Sequence, residues 1–316
     1  FRWRWRDAAR RSARSYLALQ GKPIPRWLSI AILLAIATTF GSNHIAARFA
    51  FDHGVNVTTA VAARSIGAAL FVGVLLVVSR VPLALPAATR WRAVAVGTLI
   101  AVQSYCLFSA VARIPVALAL LAFNTFPMMF SLLSWATGSE RPARRALIAM
   151  PVALCGLALA LDVFGASGGI AGRWAEIGAG VSFALGAAVS FAAALFLTSR
   201  WLKDVDGRLR TLLTMSTVSV LLLVAGAVAG NLALPANPGG WLGLVLLMLF
   251  YATAFTALFV LLPRLDALNN AAALNFEPIA VLFLAWPILG QSVAPLQVVG
   301  AIIVVGAVIA LGSAKH

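Results

Sequence analysis

Two stretches decide the fold: NTFPMMFSLLSWATGSE at residues 124–140 and NFEPIAVLFLAWPILGQ at residues 275–291. Asn124, Pro127 and Trp135 in the first meet Asn275, Pro278 and Trp286 in the second at a constant offset of 151. The match continues outward. Trp91 meets Trp241 and Gly156 meets Gly306 at an offset of 150, and Arg26-Trp27 meets Arg173-Trp174 at 147. Six of the nine tryptophans are paired in this way, too many for so scarce a residue to owe to chance. The chain reads as two copies of one unit.

Composition says where that unit lives. Of 316 residues, 62% are hydrophobic and 10% charged, against about 25% charged in ordinary soluble domains. That excludes a soluble enzyme, a secreted disulfide scaffold and a disordered chain. It points to an all-α polytopic membrane protein. A helix needs about 20 apolar residues to cross a bilayer. Ten runs qualify, near 27–50, 58–79, 91–112, 115–136, 145–163, 174–199, 211–230, 241–262, 269–288 and 295–313. They do not alternate apolar with polar, as barrel strands would.

The net charge of +15 tests the count. With the N-terminus inside, 20 of the 24 basic residues fall on the cytoplasmic side; Arg48, Arg64, Arg113 and Arg173 do not. That is the positive-inside pattern for ten spans with both termini cytoplasmic. The basic, aromatic opening FRWRWRDAARRSAR reads as a tail on an anionic leaflet, and no nucleic-acid partner is expected. Residues 1–26 are then a cytoplasmic tail, 27–163 the first five-helix repeat and 164–316 the second. Five is odd, so the second repeat sits inverted. Inverted repeats are the architecture of alternating-access transporters, whose sites lie near midplane between the halves.

Several stretches resemble one family. FGSNHIAARFAF near the end of the first span, TTAVAARSIGAALF in the second with its Arg64, and the two decisive stretches resemble the EamA family of the drug/metabolite transporter superfamily. The sequence departs from the family pattern where Phe40 replaces a tryptophan and Gln291 a glutamate. The resemblance implies export of amino acids, possibly aromatic ones, or related metabolites across the bacterial inner membrane, with membrane lipid as the surrounding partner.

The site residues follow from depth and polarity. Asn43, His44, Gln103, Tyr105, Asn124, Tyr251, Asn275 and Glu277 are polar groups in apolar spans, and Pro127 and Pro278 break corresponding helices. A proline inside a helix frees the carbonyl four residues earlier, here those of Phe123 and Leu274, which is tolerable only against protein, water or ligand. Glu277 is the one acid deep in a span, where a carboxylate costs about 2.5–3.5 kcal/mol. Three roles compete for it: substrate partner, proton carrier, or structural and gating group. His44 lies one turn from Arg48 and either carries a proton or bonds a neighbouring carbonyl. Asn43 binds cargo or glues two helices. Arg48 and Arg64 read as snorkelling outward, or as lining the exit path. Gly178, Ser182, Gly186, Ser190 and Ala194 form a small-residue ladder for packing in the sixth span.

No nucleotide-hydrolysis or zinc-protease motif is present, the three histidines are scattered, and Cys106 and Cys155 sit in apolar runs. No cofactor or metal is expected. A secondary transporter is the leading function; a lipid translocase or non-transporting scaffold comes second, and an intramembrane enzyme last.

Overall fold

The computed structural model describes residues 25–79, 84–138, 144–160, 169–261, 276–291 and 294–312. Among them the chain forms eleven helical segments and no strand. They are α1 (Arg26–Asp52), α2 (Val57–Val78), α3 (Ala87–Val111), α4 (Val116–Phe123), α5 (Phe126–Ala136), α6 (Arg144–Ala160), α7 (Gly169–Trp201), α8 (Gly207–Val228), α9 (Pro238–Leu261), α10 (Glu277–Leu289) and α11 (Pro295–Gly312). With α4 and α5 taken as one run, seven helices are long and apolar enough to cross a membrane. Three shorter apolar helices accompany them, within α6, α10 and α11.

The helix packing shows the repeat. The most extensive contacts pair α3 with α7, α9 with α1, α6 with α11 and α2 with α8. Exchanging the halves turns the first pair into the second and leaves the last two unchanged. The lesser pairs obey the same exchange: α3 with α8 against α9 with α2, and α1 with α10 against α7 with α4 and α5. Each half thus packs mainly against the other, and neither buries its apolar faces alone.

The proline breaks take a different form from mid-helix kinks. α4 ends at Asn124, where the Thr125 hydroxyl donates 2.8 Å to the Ala122 carbonyl. α5 then starts afresh with Pro127 at its second position, where a missing N–H costs no helix bond. α10 starts in the same way, with Glu277 first and Pro278 second. The helix starts, Phe126 and Glu277, keep the 151-residue offset.

Close approach between helices depends on particular glycines. A Cβ on Gly156 would lie 2.7 Å from Cγ2 of Ile303, and one on Gly300 would collide with the backbone of Gly156 and Ala160, so α6 and α11 meet backbone to backbone. A Cβ on Gly41 would lie 2.7 Å from Cγ2 of Val281, which presses α1 against α10. In α7 the expected ladder is buried at Gly178, Ser190 and Ala194 and exposed at Ser182 and Gly186. Ser190 Oγ donates to the Leu99 carbonyl of α3 at 2.8 Å. Gly180, Ala184, Ala187 and Ala188 beside it are also buried, and a Cβ on Gly180 would lie 2.4 Å from Cγ2 of Ile114.

All seven tryptophans among the described residues are exposed, as interfacial anchors are. Between spans, Asp206 caps α8. Its carboxylate accepts from the Arg208 amide at 2.9 Å and from the Arg208 guanidinium. Burial pushes this carboxyl up, but the Arg208 hydrogen bonds and charge outweigh it and hold the group below its ordinary range. A lowered carboxyl contributes stability above its unfolded-state pKa and loses it as pH falls through the folded value. Asp206→Ala is expected to cost about 1 kcal/mol. The deficit should be largest at neutral pH and shrink on acidification below about pH 4; thermal unfolding across pH 3–7 measures it.

Candidate functional site

The site begins with the approach that Gly41 allows. One turn beyond it, His44 faces the start of α10, and its Nε2 lies 3.3 Å from Oε1 of Glu277. The His44 side chain is 8% exposed and that of Glu277 28%. Glu277 also sits at a helix N-terminus, where the backbone dipole favours negative charge. The two thus form a carboxylate–imidazole pair between the halves. Among the described residues His44 bonds no carbonyl, and its Nδ1 has no partner.

This pair lines a cavity of about 430 Å³, within the size range of small-molecule sites. The wall draws on α1, α2, α3, the α4–α5 break, α7, α8, α9 and α10. It extends from Glu277 and Arg64 to Thr198 and Arg210, where α7 ends and α8 begins. α2 contributes Arg64, and α8 contributes Arg210, Thr211, Thr214 and Met215.

Of the two readings of Arg64, snorkelling outward or lining the path, its position fits the second. It does not snorkel; it is buried at 6% exposure on the cavity wall. Its guanidinium carbon lies 4.6 Å from the Phe108 ring centroid and 4.3 Å from that of Tyr251, a cation between two aromatic faces. Nη2 donates to Ser104 Oγ at 3.0 Å, and Ser104 Oγ donates to Gln103 Oε1 at 3.3 Å. Nε has no partner among the described residues. The His44 ring also contacts Phe108, centroid to centroid at 5.5 Å. The acid–base pair and the guanidinium therefore share one chamber. Arg48, by contrast, is satisfied away from it, by Asp52 at 3.0 Å and by the Val111 carbonyl at 3.0 Å.

Two aromatic clusters complete the wall. Phe40, Tyr251 and Phe255 pack together with centroids 4.7–6.1 Å apart. Phe123, Phe126 and Phe191 do so at 4.8–5.5 Å. Phe40 and Phe191 stand 151 residues apart, the offset of the repeat. The signal was available in the sequence, but phenylalanine in an apolar span carries no depth mark of its own.

The remaining expected residues divide. Gln103, Asn124 and Tyr251 lie on the wall with His44 and Glu277, and the Tyr251 hydroxyl points to Met215 Sδ at 3.9 Å. Asn43 does not line the cavity; it is 1% exposed in a helix seam, and neither amide atom has a partner among the described residues. Tyr105 faces away and is 40% exposed. A helix turns about 100° per residue, so once Gln103 and Ser104 face inward Tyr105 is carried to the outer surface. Asn275 lies outside the described residues. Pro127 and Pro278 set the helix starts and do not line the cavity.

Similarity to known proteins bears on this geometry. Among solved structures, sixteen chains match. One, described as "Crystal structure of protein", is 17% identical with a TM-score of 0.62, covering 90% of this chain and 97% of its own. At that identity it speaks for the fold alone. No curated protein matches. The EamA-like transporter family model matches twice, over residues 27–161 and 178–313, once in each half. Family match, doubled unit and apolar helices agree, and the chain belongs to the EamA-like transporter family, a family of membrane transporters.

Proposed function

We propose that the protein is a secondary transporter that exports amino acids, or closely related small metabolites, across the bacterial inner membrane. It would do so by alternating access at the cavity between the two halves. Ten spans, as two inverted five-helix repeats with both termini cytoplasmic, are the topology that goes with this function. One observation carries the reading: a single chamber, walled by both halves, holds a carboxylate–imidazole pair, a guanidinium and two aromatic clusters. Charge of both signs suits a small zwitterion, and the aromatic walls suit an apolar or aromatic side chain. A lipid translocase would need a groove open to acyl chains and has little use for buried charges of both signs.

Counterflow in proteoliposomes tests it. Vesicles preloaded with unlabelled amino acid should transiently accumulate the labelled form, with phenylalanine among the best carried. No accumulation across the amino-acid panel would reject the reading. Cysteines placed near Asn56 and Asn237 should label from outside, and those near Arg144 and Asp206 should not; the reverse pattern would reject the topology.

A further inference from the structure

We infer that Arg64 is an anion anchor: cargo is held in the chamber through a carboxylate that docks on this guanidinium. The inference rests on the transport reading above and narrows it to cargo that carries a carboxylate. Three observations support it. Arg64 is a full positive charge buried within a membrane-spanning helix, a placement costly enough to mark function. Its carbon is sandwiched between Phe108 and Tyr251, which holds the plane of the fork on the cavity wall. No carboxylate among the described residues pairs with it. The ion pairs there join His44 to Glu277, Arg48 to Asp52 and Arg208 to Asp206.

The charges of the chamber point the same way. Among the described residues its ionisable wall side chains are Arg64, Arg210, His44, Tyr251 and Glu277, and the one carboxylate of these lies against His44. The described wall is positive in excess and favours an anionic group over a purely cationic cargo. Arg64 Nη2 is held by Ser104, while Nε is buried and unpartnered. A planar carboxylate is the acceptor that best matches the N–H donors of a guanidinium fork. Ser104 and Gln103 beside it then position the anchor without neutralising it.

The test compares aromatic ligands that carry or lack the carboxylate. Purified full-length protein is titrated by calorimetry with phenylalanine, phenylalanine amide, phenethylamine and 3-phenylpropionate. The wild type should bind the two carboxylates about 10–100-fold more tightly than the amide and the amine, the range of a buried charge-assisted hydrogen bond. Arg64→Gln should erase that preference to within about threefold, and Arg64→Lys should restore part of it. Equal binding of acids and amide by the wild type overturns the anchor and needs no variant, so a misfolded Arg64→Gln protein does not protect the idea. Binding of none of the four, or a preference that survives in Arg64→Gln, also overturns it. Tight binding of 3-phenylpropionate without binding or counterflow of phenylalanine would instead sink the amino-acid reading and uphold the anchor.

Discussion

Glu277→Ala should lose most transport, at least about tenfold, whereas Glu277→Gln should keep exchange within about threefold of wild type. The difference follows from one contact. Glu277 Oε1 lies 3.3 Å from Nε2 of His44, and the other ring nitrogen of His44 has no partner among the described residues. Glutamine retains an acceptor for the imidazole. Alanine removes it and strands a buried ring, at a cost of about 1–3 kcal/mol. His44→Ala should resemble Glu277→Ala, and the double variant should be little worse than either, because both changes break one interaction. Exchange and gradient-driven export, measured side by side in proteoliposomes, separate the rival roles. An exchange-competent but export-dead Glu277→Gln protein would make the carboxylate a proton carrier. Loss of both in Glu277→Gln would make it a cargo contact.

Gly300→Val should be the most damaging single change outside the cavity. A side chain there must displace the backbone of α6 at Gly156 and Ala160, and backbone cannot move as a flexible side chain can. Overpacking of this kind costs about 1–3 kcal/mol and more where helices must separate. Gly306→Ala on the same helix is the control, because nothing lies within 4 Å of the added carbon. Folded yield and melting temperature in detergent should fall sharply for the first and stay unchanged for the second. Equal behaviour would mean that α6 and α11 do not meet at these glycines.

The two glycines also show how far the sequence could be read. Gly156 and Gly306 match across the repeat, yet Gly156 packs against Gly300 and Ile303 while Gly306 faces open space. Sequence correspondence located the halves, but contact depends on which helix lies opposite. The same limit runs through the site. His44 and Glu277 were each visible as ionisable groups in apolar spans. Their pairing was not, because it joins residues from opposite halves, and spacing along the first span suggested Arg48 as a neighbour for His44 instead. Arg48 binds Asp52, also one turn away. For Arg64 the sequence leaves snorkelling and lining the path open; the Phe108 and Tyr251 rings that hold it come from two other helices. Tyr105 failed for a local reason, the helical rotation that separates it from Gln103. The helix starts at Phe126 and Glu277 were nearly legible, since proline prefers the first turn of a helix.

The most direct test of transport through this chamber is cargo protection of an introduced cysteine. Leu195→Cys, in a background with Cys106 and Cys155 replaced by serine, puts a thiol on the cavity wall. A membrane-impermeant thiol reagent applied from the cytoplasmic side should modify it and abolish phenylalanine counterflow. Excess phenylalanine should slow the modification severalfold. Full modification with counterflow unchanged, at a rate indifferent to phenylalanine, would contradict the placement of the transport path in this chamber.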